Sequence, residues 1–479
     1  MRILLTIPPV LNKRSKKQGN GNRIKRGLLP PLGIGYIASV LIQEGHEVDI
    51  IDAQILDYGI TEILEDIDRY KPDIIGVSFL TPQEELAYRL IEEVKKHFKS
   101  IQVIVGGAHP TCFPKRTMDR CKDIDILVIG EGEYIMLELV RCLEEGKALK
   151  GVKGIYYRGN MREALKTQED TRIVNLDALP FPARHLYKLS SYIPEPFENK
   201  KLPSTSIIAS RGCTYAKCTF CYRSGILKRQ YRIQSAEKSL DEIRHLIKNF
   251  GIKEFVFYDD DLSSNKKWLL KFCSLLRKEK ILITWSFRGR SNTVDHEILK
   301  QAKEAGCFSI AFGFESGNQD LLDNIKKGIT LEDTRRVASL ANGLGLEVVG
   351  TFMLGLPGEN PQKAEKTIEF AIELNCTYAA FIPTHPFLGT ELYDQCQRQG
   401  KIMQSTYSDK DMCHTRYIPR VTYVPSGYKN KEELEEMIVK AYKRFYLRPS
   451  YFCKHIRKIK SFEDIKKYWN GFTFLLGLV

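Results

Sequence analysis

Apolar positions in the first third of the chain follow two alternating rhythms. Short β-branched runs occupy residues 2–7, 47–52, 73–80, 102–106 and 126–129, and between them apolar residues recur every three or four positions over 32–44, 60–69, 83–98 and 133–145. The runs predict strands and the wider spacing predicts amphipathic helices. Strand and helix in alternation predict a parallel, doubly wound sheet whose ligands bind at the carboxyl ends of the strands. Those ends read Ser78-Phe79-Leu80-Thr81, Gly106-Gly107-Ala108-His109-Pro110 and Gly130-Glu131-Gly132-Glu133. Glycine at such a tip lets backbone approach a bulky ligand.

The rhythm then lapses and returns. Residues 147–203 read as a linker, with a small hairpin near 154–160 and a proline-punctuated crossing at 177–183. Over 204–400 six further strand–helix units follow, their strands at 206–210, 254–258, 282–287, 309–314, 347–354 and 378–383. Helix 240–250 is typical, with apolar Leu240, Ile243, Leu246, Ile247 and Phe250, and Thr330 with Asp333 marks a helix start. Six units predict an incomplete (βα)6 barrel, open on one side, with its active groups at the strand carboxyl ends. Residues 401–479 form a mostly helical extension, with helical patterns at 432–446 and 462–469.

Chemistry enters directly after the first barrel strand, at Arg211-Gly212-Cys213-Thr214-Tyr215-Ala216-Lys217-Cys218-Thr219-Phe220-Cys221. Thiolates are soft ligands suited to iron–sulfur clusters or zinc. A zinc site wants a second pair of ligands at short spacing, and no other C-x-x-C or H-x3-H occurs in the chain. Three cysteines on one loop can hold three irons of a four-iron cluster and leave the fourth open to a ligand.

The segment resembles the cluster loop of the radical S-adenosylmethionine (SAM) superfamily. Its spacing is C-x4-C-x2-C, one residue longer between Cys213 and Cys218 than the superfamily's usual C-x3-C-x2-C. The three tips of the first domain, as an ordered set, resemble the cobalamin-binding domain that precedes the barrel in one large subfamily. The resemblance implies an α/β protein: a Rossmann-like cobalamin-binding domain over 1–146, a partial TIM-like radical SAM barrel over 204–400 and the helical extension. It implies a [4Fe-4S] cluster on Cys213, Cys218 and Cys221. SAM is expected against Phe220, Asp259, Asp260, Arg288, Arg290, Glu315, Ser316 and Gly355. In that family Phe220 and the Gly355 motif lie near adenine, Glu315 meets the ribose, the aspartates meet the amino end and an arginine pairs with the carboxylate. Cobalamin is expected against Ser78, Thr81, Gly106, Gly107, His109, Glu131, Gly132 and Glu133. The histidine motif that offers cobalt a ligand in cobalamin mutases is absent, so His109 is expected beside the ligand or at the surface.

The implied activity is reductive cleavage of SAM to a 5′-deoxyadenosyl radical, hydrogen abstraction from substrate, and methylation of an unreactive carbon through methylcobalamin. A non-methylating relative using the same cofactors, and a cobalamin-binding protein without radical chemistry, remain alternatives. A tRNA methylthiotransferase is disfavoured, since its first domain would carry a second cysteine triad. The implied partners are a small-molecule or lipid-like substrate and an electron donor such as flavodoxin or ferredoxin.

Composition refines the setting. The chain has 479 residues, 43% hydrophobic and 28% charged, as ordinary globular proteins do. Its 12 cysteines lack a secretion signal, which predicts a reducing, cytoplasmic setting rather than a disulfide framework. The formal charge of +14 is concentrated at two places. Residues 13–26 carry seven basic and no acidic side chains, and residues 401–479 carry 16 basic against 8 acidic. Such patches suit an anionic substrate or peripheral membrane contact. Nucleic acid is not expected.

Overall fold

The computed structural model describes residues 1–9, 27–170, 175–194, 199–222, 231–403 and 421–456. Most of the basic loop 12–27 and the helix expected over 462–469 lie outside them. The chain divides into two compact units, one over Met1–Ile193 and one beginning at Pro194.

In the first unit the elements are β1 (Arg2–Ile7), α1 (Leu32–Gln43), β2 (Glu47–Asp52), α2 (Ala53–Leu56), α3 (Ile60–Tyr70), β3 (Ile74–Ser78), α4 (Glu84–His97), β4 (Gln102–Gly106), α5 (Ala108–Cys112), α6 (Pro114–Arg120), β5 (Ile126–Val128), α7 (Gly132–Glu144), β6 (Ile155–Arg158) and β7 (Ala164–Lys166). The sheet order is β2-β1-β3-β4-β5-β6-β7. The first five strands are parallel, and their order reverses between β1 and β3. That reversal opens a crevice at the strand carboxyl ends, where doubly wound sheets bind ligands. The run expected over 73–80 leaves the sheet at Ser78: Phe79 turns into the core, Leu80 turns out to solvent, and Thr81–Gln83 forms one 3-10 turn. The hairpin expected in the linker extends the sheet instead. Strand β6 pairs antiparallel with β5, placing Ile155 opposite Val128, and Ile155 is fully buried.

In the second unit follow β8 (Ser204–Ile207), β9 (Ser210–Arg211), β10 (Arg232–Ile233), α8 (Ala236–Phe250), β11 (Glu254–Phe257), α9 (Lys266–Lys278), β12 (Thr284–Gly289), α10 (His296–Glu304), β13 (Cys307–Glu315), α11 (Gln319–Asn324), α12 (Leu331–Gly343), β14 (Glu347–Leu354), α13 (Pro361–Glu373), β15 (Tyr378–Pro383), α14 (Glu391–Gln399), β16 (Gly400–Ile402), β17 (Tyr423–Pro425), α15 (Lys431–Tyr446) and α16 (Pro449–Ile456). Six parallel strands run β15-β14-β13-β12-β11-β8, and β8 is not paired to β15: an open barrel.

Alternation along these strands sorts the two faces. Phe255, Phe257, Trp285, Phe287, Ile310, Phe312, Phe314, Phe352 and Phe381 are buried in one core with Leu240, Ile243, Leu269 and Phe272 of the covering helices. The alternate residues Arg288, Ala311, Gly313, Thr351, Met353 and Ala380 are only half-buried. Partly exposed, and small at Ala311, Gly313, Thr351 and Ala380, they leave the inner face of the barrel open to a ligand.

Candidate functional site

The run expected to continue as a strand to Ser210 breaks after Ile207. The cause is Asp259, beyond the end of β11, whose buried carboxylate accepts the Ala209 N–H at 3.3 Å and both the N–H and hydroxyl of Ser210 at 2.5 Å. Strand β9 then pairs with β10 and launches the cysteine loop. Gly212 and Ala216 take positive φ (93° and 41°), which puts a left-handed turn inside the longer Cys213–Cys218 segment, just before Lys217 and Cys218. The loop is pinned to the chain around α11: Thr219 donates to the Ile325 carbonyl (3.0 Å) and the Tyr215 hydroxyl to the Lys326 carbonyl (2.9 Å). Cys218 is buried, while Cys213 and Cys221 are half-buried, all as thiols. Among the described residues no three His, Cys, Asp or Glu side chains group as ligands of one metal ion. A four-iron cluster asks for a different arrangement, one thiolate on each of several irons.

Two cations attend Cys218. The Arg290 guanidinium lies 3.9 Å from its sulfur, and burial pushes the thiol pKa up while the Lys327 and Arg290 charges pull it back. Lys327 is held by Glu315 at 2.7 Å and lies 5.6 Å from the Phe220 ring centre. Glu315 ends β13 with φ 64°, which turns its carboxylate toward this cation. The structure thus brings Phe220, Cys218, Arg290, Lys327 and Glu315 together.

Other expected SAM contacts are placed differently. Asp259 is engaged in the turn before the loop, and its burial raises the pKa to about 7. Asp260 is exposed beside it. Arg288 stacks over Tyr258 at 3.7 Å, half-buried on the inner face. Ser316, fully buried, accepts from the Asn318 N–H (3.1 Å) and meets the Thr367 hydroxyl, bracing the end of β13 against α13. Gly355 has φ 81°, and an added Cβ would meet Leu434 at 2.7 Å. Its N–H donates to Glu359 at 2.5 Å, and Glu359 also accepts from the Tyr428 hydroxyl at 2.9 Å. Lys327, Tyr215 and Glu359 escaped sequence reasoning. Lys327 belongs to no motif, whereas Glu359 closes the Gly355-Leu-Pro-Gly-Glu run that was visible.

In the first unit Ser78 pairs with Gly106 across β3 and β4. A Cβ on Gly107 (φ 97°) would meet the Ser78 hydroxyl at 2.8 Å and the Phe79 backbone at 2.9 Å, so only glycine fits. The Gly130 N–H donates to Thr111 at 3.0 Å, tying the third tip to the second. Gly132 lets α7 close on α1: a Cβ there would meet Ile37 at 2.9 Å. Glu133 is buried and Glu131 half-buried. His109 is not at the surface. Its ring is 1% exposed, stacks on Phe79, bonds Thr81 at 3.2 Å and reaches Glu84 at 3.5 Å. Burial lowers its pKa to about 4, which keeps it neutral.

A sequence profile of the Radical SAM superfamily matches residues 207–371, and one of the B12 binding domain matches 25–140. Over 456 residues the chain is 31% identical to the uncharacterized methyltransferase PH0819 of Pyrococcus horikoshii, covering 95% of each. The chain belongs to the cobalamin-binding radical SAM family. A second relative, the cytidylyl-2-hydroxyethylphosphonate methyltransferase of Streptomyces wedmorensis, is 28% identical over 87% of this chain and 86% of its own. Among solved structures, the cobalamin-dependent radical enzyme OxsB with aqua-cobalamin and SAM shares the fold (TM-score 0.72, 20% identity, 98% of this chain and 70% of that one). So does the radical SAM methyltransferase TsrM of Kitasatospora setae (TM-score 0.68, 18% identity, 91% and 84%).

The cofactors of this radical SAM enzyme are a [4Fe-4S] cluster, SAM and cobalamin. Its residues fit them. The Arg290 guanidinium 3.9 Å from the Cys218 sulfur is placed to offset negative charge on a thiolate–cluster set. The half-exposed inner face with Arg288, and Glu315 beside it, suits a polar nucleotide. Gly107, just past β4, packs on Ser78 and the Phe79 backbone with no room for a side chain, which locks the β3 and β4 tips together at the carboxyl edge where doubly wound sheets take a ligand. No helix of the described residues is long and apolar enough to cross a membrane.

Proposed function

We propose that the enzyme is a cobalamin-dependent radical SAM methyltransferase acting on an unactivated carbon of a small-molecule or lipid-like substrate. The observation that carries this reading is Cys218 flanked by Arg290 and Lys327 at the carboxyl ends of the barrel strands. Two relatives named as methyltransferases support it. Cys213, Cys218 and Cys221 would hold the cluster; Phe220, Asp260, Arg288, Glu315 and Gly355 would hold SAM; Ser78, Thr81, Gly106, Gly107 and Glu131 would hold cobalamin. Asp259, Ser316, Gly132, Glu133 and His109 serve these sites from behind, through the turns and packing they fix.

When bound, the cluster and SAM supply one-electron cleavage and hydrogen-atom abstraction, and cobalamin supplies methyl transfer. The protein's part is placement. Lys327 neutralises Glu315 where the two are buried together, so Glu315 can offer its carboxylate to hydroxyl groups without carrying an isolated charge. Met353, half-buried, and Ile382, 43% exposed, add apolar surface to the inner face away from Arg288, which suits an apolar substrate body. An electron donor of the flavodoxin or ferredoxin class completes the reading. Peripheral membrane contact, expected of the C-terminal extension, would have to come from outside α15, which buries Leu434, Ile438 and Phe445.

Anaerobic turnover with methyl-labelled SAM and a small-molecule and lipid extract tests the proposal. Methyl transfer yields 5′-deoxyadenosine and S-adenosylhomocysteine together, with label in a product. 5′-Deoxyadenosine alone, with no labelled product, would replace it with a non-methylating radical reaction.

A further inference from the structure

Arg290, expected as a partner for the SAM carboxylate, is engaged with the protein itself. It is 8% exposed, and three sides of its guanidinium are already taken. One nitrogen faces the Cys218 sulfur at 3.9 Å, another donates to the Lys327 carbonyl, and the plane lies 4.0 Å from the Tyr215 ring centre. Its backbone is fixed as well, the N–H donating to the Ser263 hydroxyl at 3.2 Å. Tyr215 in turn donates to the Lys326 carbonyl, and Gly328 (φ 65°) leaves the space its phenol fills, since a Cβ there would collide with the hydroxyl. Tyr215 and Cys218 lie on either side of the left-handed Ala216, within the lengthened Cys213–Cys218 segment. Arginine suits this post because its planar fork stacks and donates at once and stays charged when buried.

We propose that Arg290 is a positioning residue for the cluster: it clamps the expanded cysteine loop against the 326–328 turn and fixes a positive charge beside the iron held by Cys218. The inference rests on the reading that Cys218 is a cluster ligand. Charge and hydrogen bonds at a ligand sulfur set a cluster's reduction potential, and a nearby cation stabilises the more negative, reduced state. Arg290 therefore raises the potential and eases electron uptake.

The test uses the full chain, reconstituted anaerobically, with iron per chain and the midpoint potential read by spectroscopic titration beside the melting temperature. Arg290→Gln is expected to move the potential to a more negative value with iron still bound. Arg290→Lys, which keeps the charge and loses the fork, is expected to move it less. An Arg290→Gln protein with wild-type iron and wild-type potential overturns the proposal. Should that variant not fold, Tyr215→Leu takes its place, leaving the cation but removing the ring that holds it. A smaller shift of the same sign then supports the proposal, and an unmoved potential overturns it. Failure of the wild-type chain to take up iron would instead sink the cluster reading itself, so the two failures are told apart.

Discussion

Glu359 shows how one buried acid can be read through its partners. Its carboxyl is fully buried, one oxygen accepts from Gly355 and Tyr428, and the other meets no donor among the described residues. A proton fits on that second oxygen, and burial raises the pKa to about 7 from 4.5. A folded-state pKa above the unfolded one favours folding when the group is protonated. The contribution is therefore full below pH 4.5 and is lost as pH rises through about 7. Glu359→Gln, which carries its amide where the proton would sit, should flatten that loss. Its melting temperature should gain on the wild type as pH goes from 5 to 8, by an amount worth about 3 kcal/mol at most. Parallel melting curves across that range would show that Glu359 does not titrate there. Residues of this kind were half legible. The Gly355 run was readable as a strand-end motif, but which side chain holds it depends on Tyr428, some seventy positions away and without a motif of its own. His109 and Arg290 show the same limit from the other side: residue type and place in a motif were readable, but burial and partners decide the role.

Elements were more legible, because periodicity records which face is buried. The six barrel strands and the strands of the first sheet lie where apolar runs put them, and deviations have local causes. Asp259 stops β8 early by capturing the amides of Ala209 and Ser210. The linker hairpin joined a sheet because a short edge pair looks the same in sequence whether or not a third strand adopts it. The C-terminal helix α15 covers the β15 edge, and here the pattern hid a device. The Tyr446 hydroxyl accepts the Ala379 N–H at 3.0 Å and donates to the Ala379 carbonyl at 2.9 Å, standing in for a missing neighbour strand. Tyr442 likewise accepts the Phe381 N–H at 3.3 Å. An uncovered edge would leave those groups unpaired in the interior. Tyr446→Phe should therefore cost about 1–3 kcal/mol in urea unfolding, more than an isolated hydroxyl bond, because two backbone groups lose their partner. A loss below roughly 0.5 kcal/mol would mean that water reaches the edge.

For the whole molecule, the informative feature is that the proposed cofactor sites are built from different units with separate cores. Ordered motifs made this division readable, since strand-end tips precede the cysteine loop in the chain as the two sheets do. Basic charge was readable in amount but not in use, because residues 13–26 lie outside the described structure. The division makes a crossed prediction. Gly107→Ala forces a Cβ into the Phe79 backbone at 2.9 Å at a positive φ. It should reduce hydroxocobalamin binding at least tenfold, a loss of about 1.4 kcal/mol, while iron per chain stays at the wild-type level. Cys218→Ser should do the reverse, removing most of the iron and leaving cobalamin affinity within about twofold, under ~0.5 kcal/mol. Both readouts come from the same purified chains, by absorbance titration with hydroxocobalamin and by iron analysis after anaerobic reconstitution. If Gly107→Ala also loses iron while its melting temperature is kept, the two sites share determinants and the residue assignments must be redrawn. If each variant loses only its own cofactor, the cobalamin edge and the cysteine loop are each located by the residues named here.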